Sequence, residues 1–281
     1  MSSRRKNAPK KPAVERIPFV ARPFEGLAGE TDWVALREIV PAATAPLSLK
    51  DGTAVTLSTV LPMAWPGMVR ADGRRYLGLQ VASRSGDASR DLAAVLEQVA
   101  TEAPGSSVVT TDLPAPGARL QDLLGDAPLD VTVHDGFDFW VEGTDDPDGS
   151  VAESMEKANA TVVPTVKLET VASAYWCRMR EKSHLRWVLP HDEEPLLDAL
   201  ARMSVDGGLN LGDGTRYVGS FRAHGLLVPV WDLPIEPEAD AFEEAAQTWG
   251  TRLDAALAQT DLSSEARRAR QGLVNRQLTL R

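Results

Sequence analysis

Six Asp-Gly dipeptides set the main constraint on what this chain can fold into. They lie at 51–52, 72–73, 135–136, 148–149, 206–207 and 213–214. Gly adopts positive φ angles at little cost, so Asp-Gly is favoured in the two-residue turns that join antiparallel strands. The first three dipeptides are flanked by residues typical of strands, and they therefore predict three antiparallel hairpins.

The third turn gives the most detailed of these hairpins. Strand-like sequence at 129–134 precedes the turn, and strand-like sequence at 137–142 follows it. A two-residue turn would place Val131 opposite Trp140, which is a favourable cross-strand pair. The sequence therefore predicts a hairpin over 129–142.

A fourth hairpin is predicted where the run 173–180 is followed by the run 183–189. With its turn at Glu181-Lys182, Trp176 faces Trp187, and two aromatic side chains in such positions stabilise a strand pair. This turn contains no glycine. The prediction therefore depends on the strand pattern alone.

Cys177 is the only cysteine of the chain, so it cannot form an internal disulfide or a cysteine-rich zinc site. In the predicted register Cys177 faces Arg186, and His184 is only a diagonal neighbour, with about 7 Å between the Cα atoms. That separation is too large for a thiol and imidazole pair in direct hydrogen-bond contact. We therefore predict a buried structural cysteine.

Helices are predicted where apolar residues recur at spacings of three and four. The three longest patterns lie at 92–99, 196–203 and 242–257, and the first two end at Pro104-Gly105 and Gly207-Gly208. Shorter helical patterns lie at 32–39, 120–124 and 150–159.

Together these elements predict an α+β fold with two lobes of largely antiparallel sheet and packed helices. The Pro- and Gly-containing stretch 113–117 is the best candidate linker. The predicted divisions are a basic flexible tail at 1–16, an N-terminal lobe at 17–117, a C-terminal lobe at 118–261 and a basic helix or tail at 262–281. A similar order of elements at 32–101 and 150–203 leaves an internal duplication open.

The net charge of −10 conceals an uneven distribution of charge along the chain. Residues 1–16 and 262–281 together hold 11 of the 30 basic residues and 2 of the 40 acidic ones, so 19 basic and 38 acidic residues lie between them. An acidic body repels nucleic acid, whereas lysine and arginine neutralise phosphates. Nucleic acid would therefore bind at the ends, unless these residues lie back on the acidic body.

Several kinds of site have no signature in the sequence. Phosphate-binding GxxxxGK[ST] and GxGxxG do not occur, nor do GxSxG and HExxH. The acidic stretch 145–149 is similar to a calcium loop, but Met155 stands where the bidentate glutamate is needed. No apolar run is long enough to span a membrane, and no secretory signal is present. We therefore expect a cytoplasmic protein without a metal, a cofactor or a membrane association.

Six side chains are candidates for binding a ligand. Arg222 and His224 lie on one side of an extended segment, where they could converge with other arginines on a concave sheet to bind an anion. The alternative is that these arginines pair with acidic residues on a solvated face. The candidate set is His134, Arg178, Arg186, His191, Arg222 and His224.

Several phrases of the sequence carry a resemblance to a known family. They include FVARPFEGL at 19–27, VTVHDGFDFWVE at 131–142, HLRWVLPHDEE at 184–194 and VGSFRAHGLLVPVWDL at 218–233. The chain resembles an actinobacterial family of uncharacterised proteins over about residues 17–260. The resemblance implies no activity, because the family is a domain of unknown function. Some members carry a zinc-binding segment similar to the carboxy-terminal motif of the SecA translocase, which this chain lacks.

Two hypotheses about function remain. The first is a non-enzymatic binding or adaptor protein, whose acidic body engages a protein partner and whose basic ends contact RNA or the ribosome. The second is an enzyme or a small-anion-binding protein with its site among the six candidate residues. The sequence assigns no catalytic residue and no oligomeric state.

Overall fold

The computed structural model describes residues 18–80, 85–109, 116–143 and 149–275. Within these ranges the chain forms seven α-helices and two sheets, one of six strands and one of five. The strands pair mostly in antiparallel fashion. The α+β class with two sheet lobes is therefore confirmed.

The first sheet is built from the N-terminal part of the chain. Its strands are β1 (Ala43–Ser48), β2 (Ala54–Ser58), β3 (Gly67–Val69), β4 (Arg75–Gly78), β5 (Ser107–Val108) and β6 (Thr132–Val133). Their order across the sheet is β5-β3-β4-β2-β1-β6, and β2 and β4 form a parallel pair. The chain thus returns to the first sheet after residue 117, and the predicted division at that residue stays a prediction.

The second sheet is antiparallel throughout. Its strands are β7 (Thr165–Lys167), β8 (Ala174–Met179), β9 (Lys182–Trp187), β10 (Arg216–Ala223) and β11 (Leu226–Leu233). Their order is β10-β11-β9-β8-β7. Because the first sheet contains a parallel pair and the second does not, their topologies differ, and the duplication also stays a prediction.

The first six helices lie close to the ranges that the apolar spacing predicts, and α7 lies within the segment 262–281, which is predicted as a basic helix or tail. They are α1 (Glu30–Glu38), α2 (Ala88–Thr101), α3 (Leu120–Leu123), α4 (Ser150–Asn159), α5 (Glu193–Val205), α6 (Glu243–Leu257) and α7 (Ser264–Asn275). Asp87 caps α2 by accepting a hydrogen bond from the Ser89 backbone N–H, at 3.1 Å.

Two of the three Asp-Gly hairpins are confirmed. Gly52 joins β1 to β2 with a φ of 89°, and Gly73 joins β3 to β4 with a φ of 85°. Both angles lie in the region that favours glycine. Local turn chemistry therefore determines these two connections.

The hairpin predicted over 129–142 is wrong. β6 pairs with β1, and Asp138–Trp140 forms a short 3-10 helix instead of a strand. Asn159 accepts the backbone N–H of Phe137 at 2.7 Å, and its amide fills the space where a Cβ on Gly136 would lie. Phe137 also stacks on Trp140 with ring centroids 4.2 Å apart, so both rings pack together beside α4.

The hairpin of β8 and β9 exists, but its predicted register is wrong by two residues. Met179 pairs with Lys182, so the turn is Arg180-Glu181, and Arg180 takes a φ of 57°. Trp176 consequently faces Leu185, and Trp187 faces Ala174. A positive φ at an arginine has no signal in the sequence, which explains the error.

Each face of the second sheet is packed against a different hydrophobic core. We call the face toward α1 and the first sheet the inner face, and the face toward α5, α6 and α7 the outer face. Inner-face residues in the first core are Tyr175, Val188, Phe221, Ala223, Leu226 and Val228, and outer-face residues in the second core are Trp176, Leu185, Trp187, Tyr217, Leu227 and Trp231. This sheet therefore holds the two lobes together.

Three tryptophans form the centre of the second core. Trp249 of α6 lies with its ring centroid 4.9 Å from that of Trp231 and 5.3 Å from that of Trp187. The indole N–H groups of Trp231 and Trp249 both donate to the Leu209 carbonyl, at 2.8 and 3.1 Å. Aromatic rings in tilted or edge contacts of this kind stabilise a core beyond the area that they bury.

Asp32 of α1 makes the main polar contact between the lobes. Its Oδ1 accepts hydrogen bonds from the hydroxyls of Ser173 at 2.8 Å and Tyr175 at 2.9 Å, and its Oδ2 accepts from Lys167 Nζ at 3.0 Å. The tyrosine and the serine are buried. Burial and the adjacent carboxylate raise the pKa of Tyr175, so its hydroxyl remains a donor at neutral pH.

We predict that Asp32→Ala lowers the free energy of unfolding by about 3 kcal/mol, because three donors, two of them buried, lose their acceptor. Chemical denaturation monitored by tryptophan fluorescence measures the change. Glu153→Gln is the control, since it removes only the exposed ion pair with Lys157 and should cost less than about 0.5 kcal/mol. Equal losses in the two variants would contradict the role of Asp32.

Candidate functional site

The second sheet and its turns carry four of the six predicted ligand-binding residues. Arg178 lies on β8, Arg186 on β9 and Arg222 on β10, and His224 lies in the turn that follows β10. Side chains of a strand alternate between the two faces of a sheet, so the register decides which of these residues can act together.

A row of polar residues crosses the inner face near the Arg180-Glu181 turn. The register places Cys177 opposite His184, His184 opposite Asp232, and Asp232 opposite Arg216. Directly opposed residues of antiparallel strands project from the same face. Cys177 and His184 are therefore direct neighbours, which corrects the diagonal placement predicted from the sequence.

The thiol and the imidazole of this row are held in neutral forms. Burial raises the pKa of Cys177, and it lowers the pKa of His184 although Asp232 acts in the opposite direction. His184 Nδ1 lies 3.1 Å from Asp232 Oδ1, and the negative charge of this carboxylate favours the protonated imidazole. The described residues show no hydrogen bond between the thiol and the imidazole. A protonated, buried thiol is a poor nucleophile.

Arg186 is one row further from the turn on the same face, opposite Tyr175. Its Nη2 contacts the Met179 sulfur at 3.0 Å, and no carboxylate forms an ion pair with it among the described residues. Lys182 is exposed on the same face and likewise has no ion pair in the described part of the chain. Both cations are thus available to a negatively charged ligand.

Arg178 projects from the outer face, where its guanidinium group binds other residues of the protein. Nη1 donates to Glu238 at 2.8 Å and Nη2 donates to the Ile235 carbonyl at 3.0 Å. The guanidinium carbon also lies 4.8 Å from the ring centroid of Trp176, in a cation–π contact. Arg178 and Arg186 therefore do not converge.

Arg222 and His224 lie at the opposite end of the second sheet from Arg178. Both Nε and Nη2 of Arg222 bind the Glu193 carboxylate, and His224 Nε2 lies 2.7 Å from Glu38 Oε1. Along the strands, the row of Arg222 is about 20 Å from the row of Arg178. Arg222 therefore contacts α5 whereas His224 contacts α1, and Arg222 lies far from Arg178.

The last two predicted residues lie elsewhere. His134 follows β6, and its Nε2 lies 2.8 Å from the Thr44 hydroxyl while its ring packs on Phe139. His191 precedes α5. Burial lowers the pKa of both imidazoles. A binding role for each of the six residues stays a prediction.

The structure adds Lys182, Arg216 and Asp232 to the residues that sequence reasoning considered. A signal for the first was present, since Lys182, His184 and Arg186 occupy alternate positions and a strand projects alternate residues from one face. Arg216 and Asp232 join them only through the pairing of β10, β11 and β9. That pairing cannot be read from local sequence.

Two further properties limit the kinds of site. Among the described residues, no three His, Cys, Asp or Glu side chains come together in a way that could hold a metal ion. No helix in the described ranges is long and apolar enough to cross a membrane.

The fold and these contacts define an α+β protein of two sheets, and two cations on the inner face of the second sheet form no ion pair with any residue that the structure describes. The chain belongs to the DUF5926 family of unknown function, which matches residues 23–281. A search of the curated proteins and a search of the solved structures found no match.

Cys177 should react slowly with a thiol reagent in the folded protein, because its thiol is buried and its pKa is raised. We expect a rate with Ellman's reagent at pH 8 at least about a hundredfold below the rate in denaturant. The unfolded chain provides the control for intrinsic reactivity. A native rate within tenfold of that control would show an accessible thiol.

The pH dependence of stability should report the contact between Glu38 and His224. The hydrogen bond with His224 lowers the pKa of Glu38 below its usual 4.5. A lowered carboxyl pKa stabilises the fold above the unfolded value, and this contribution is lost as pH falls through the folded value. Glu38→Gln should therefore lower stability at pH 6 and have less effect near pH 3.

Denaturant titrations from pH 3 to pH 7 measure this difference. Glu97→Gln is the matched control, because Glu97 is an exposed glutamate of α2 without an ion pair among the described residues. A loss in Glu38→Gln that stays constant down to pH 3 would contradict the proposed linkage.

Proposed function

We propose that this chain is a non-enzymatic binding protein of the cytoplasm, which engages a protein partner with its acidic body and RNA or the ribosome with its basic N-terminal residues 1–16. The observation that carries the proposal is the uneven charge. Residues 1–16 hold six basic residues and one acidic residue, whereas the body has twice as many acidic as basic residues. Phosphates attract the former and are repelled by the latter.

The contacts of α7 favour the N-terminal residues over the C-terminal ones as the site of this contact. Arg270 binds Asp198 at 2.7 Å and also binds Glu194, both on α5. Arg267 Nη2 donates to the Leu262 carbonyl at 2.7 Å. Since α7 also buries Ala266 and Leu273 in the second core, part of its positive charge is used within the protein.

The state of the polar groups favours binding over catalysis. The thiol beside His184 is protonated and buried, and Arg178, Arg222 and His224 each have protein partners of their own. An enzyme holds its reacting groups in one cleft with pKa values suited to proton transfer. The six predicted residues do not meet that description as one group.

Sedimentation with purified ribosomes tests the RNA-binding part of the proposal. The full-length chain should pellet with ribosomes at low salt, and the fraction bound should fall as salt rises. Log K falls as log salt concentration rises, and changing all six N-terminal cations to Gln should make this slope less steep by up to about 4. The six positions are Arg4, Arg5, Lys6, Lys10, Lys11 and Arg16.

The control carries Arg267→Gln and Arg268→Gln on α7, where we expect a change in slope of less than about 1.5 for two charges. Equal binding by the wild-type chain and the six-site variant would contradict the N-terminal anchor. Failure of both to bind would contradict the proposal for RNA and the ribosome.

A further inference from the structure

The inner face of the second sheet carries three basic side chains and one histidine close together beside the Arg180-Glu181 turn. We call Lys182, His184, Arg186 and Arg216 the cationic surface. The first three occupy alternate positions of β9, and Arg216 joins their row through Asp232. All four therefore project from one face.

The cationic surface has more positive charge than its surroundings neutralise. Asp232 is the acid within the group, and it binds Arg216 and lies beside His184. Lys182 and Arg186 have no ion pair with a carboxylate among the described residues. Two positive charges thus remain unmatched in a body where acidic residues outnumber basic ones by two to one. A local field of opposite sign attracts an anionic ligand.

The spacing of Lys182, His184 and Arg186 along β9 fits an extended peptide. Alternate residues of a strand are about 6.6 Å apart, so the three positions on β9 form a ladder about 13 Å long. An extended acidic peptide presents its own alternate side chains with the same repeat. Met179, which is 42% exposed and contacts Arg186, adds an apolar point of contact beside the ladder.

The distribution of aromatic residues disfavours RNA at this place. Sheets that bind single-stranded nucleic acid stack bases on exposed aromatic rings. Here Trp176, Trp187 and Trp231 lie on the outer face within the second core, and Tyr175 on the inner face is buried with its hydroxyl bound to Asp32. Met179, the exposed apolar side chain beside the cationic surface, has no aromatic ring on which a base could stack.

We propose that the cationic surface binds an extended acidic segment of a partner protein. Arg186 and Lys182 pair with carboxylates four residues apart on that segment, a separation of about 13 Å, and the neutral imidazole of His184 contacts the side chain between them. This inference rests on the proposed function, because it identifies where the protein partner binds. It is independent of residues 1–16 and their contact with RNA.

Fluorescence anisotropy with the full-length protein tests the inference. The probe is a labelled ten-residue peptide of alternating Glu and Val, compared with the same peptide carrying Gln in place of Glu and with a ten-nucleotide single-stranded RNA. We expect the acidic peptide to bind at low salt and the Gln peptide to bind at least about tenfold more weakly. The RNA should not compete for the cationic surface.

Single substitutions locate the binding site. Lys182→Gln and Arg186→Gln should each weaken binding of the acidic peptide about fivefold, and together about twentyfold. Arg222→Gln is the matched control, since it removes the same charge from an exposed residue of the same sheet and should leave the affinity within twofold of wild type. Thermal unfolding of every variant confirms that the sheet is intact.

Equal affinities for the acidic and the Gln peptide would overturn the inference, as would equal effects of Arg186→Gln and Arg222→Gln. Loss of RNA binding, in place of peptide binding, in the double variant would reassign the surface to nucleic acid and also overturn it. In all these cases ribosome sedimentation by the N-terminal residues can still succeed, so the two failures are distinguishable.

Discussion

Both faces of the second sheet have to be buried at the same time, and this constraint organises most of the molecule. On its outer face, the tryptophans of β9 and β11 pack against Trp249. On its inner face, Phe221 and Val228 pack in the first core together with residues of α1. Neither lobe completes its core without this sheet. Asp32 of α1 joins this sheet where the inner face changes from apolar to polar, through its hydrogen bonds with Ser173 and Tyr175.

The same change of character along the inner face produces the cationic surface. Strand residues near Ser173 and Val188 are covered by the first core, whereas those near Met179 and Lys182 lie beyond it and are exposed. Charged side chains are tolerated there because the strands extend past their cover. Position in the sheet, and not a dedicated pocket, therefore gives Arg186 its access to a ligand.

Features that depend on a few neighbouring residues could be predicted from the sequence. The turns at Gly52 and Gly73 followed from Asp-Gly, and α2 and α5 followed from apolar spacing and the residues that end them. The error at Gly136 arose because Asn159, far along the chain, takes the hydrogen bond that a strand partner would have supplied. The register error at Arg180 arose because a positive φ at an arginine is set by the surrounding sheet and not by its own preference.

The candidate site shows the same division between local and distant determinants. Alternation on β9 reveals from the sequence that Lys182, His184 and Arg186 share a face. The partners that neutralise Arg178 and Arg222 come from residues 60 and 29 positions away. Contacts of such sequence separation depend on the complete fold, so no pattern in the strands could show that Arg186 alone among these arginines lacks a carboxylate in the described structure.

The shared sheet also has a consequence for synthesis of the chain. Residues 24–133 of the first core leave the ribosome before β8, and the strands that cover them, β10 and β11, follow some hundred residues later. Until then, Trp33, Phe24 and their neighbours lack the apolar surface that finally buries them. Non-local contacts of this kind slow folding and leave hydrophobic surface open to association. The nascent chain therefore passes through a stage in which its first lobe exposes apolar surface that the later strands cover.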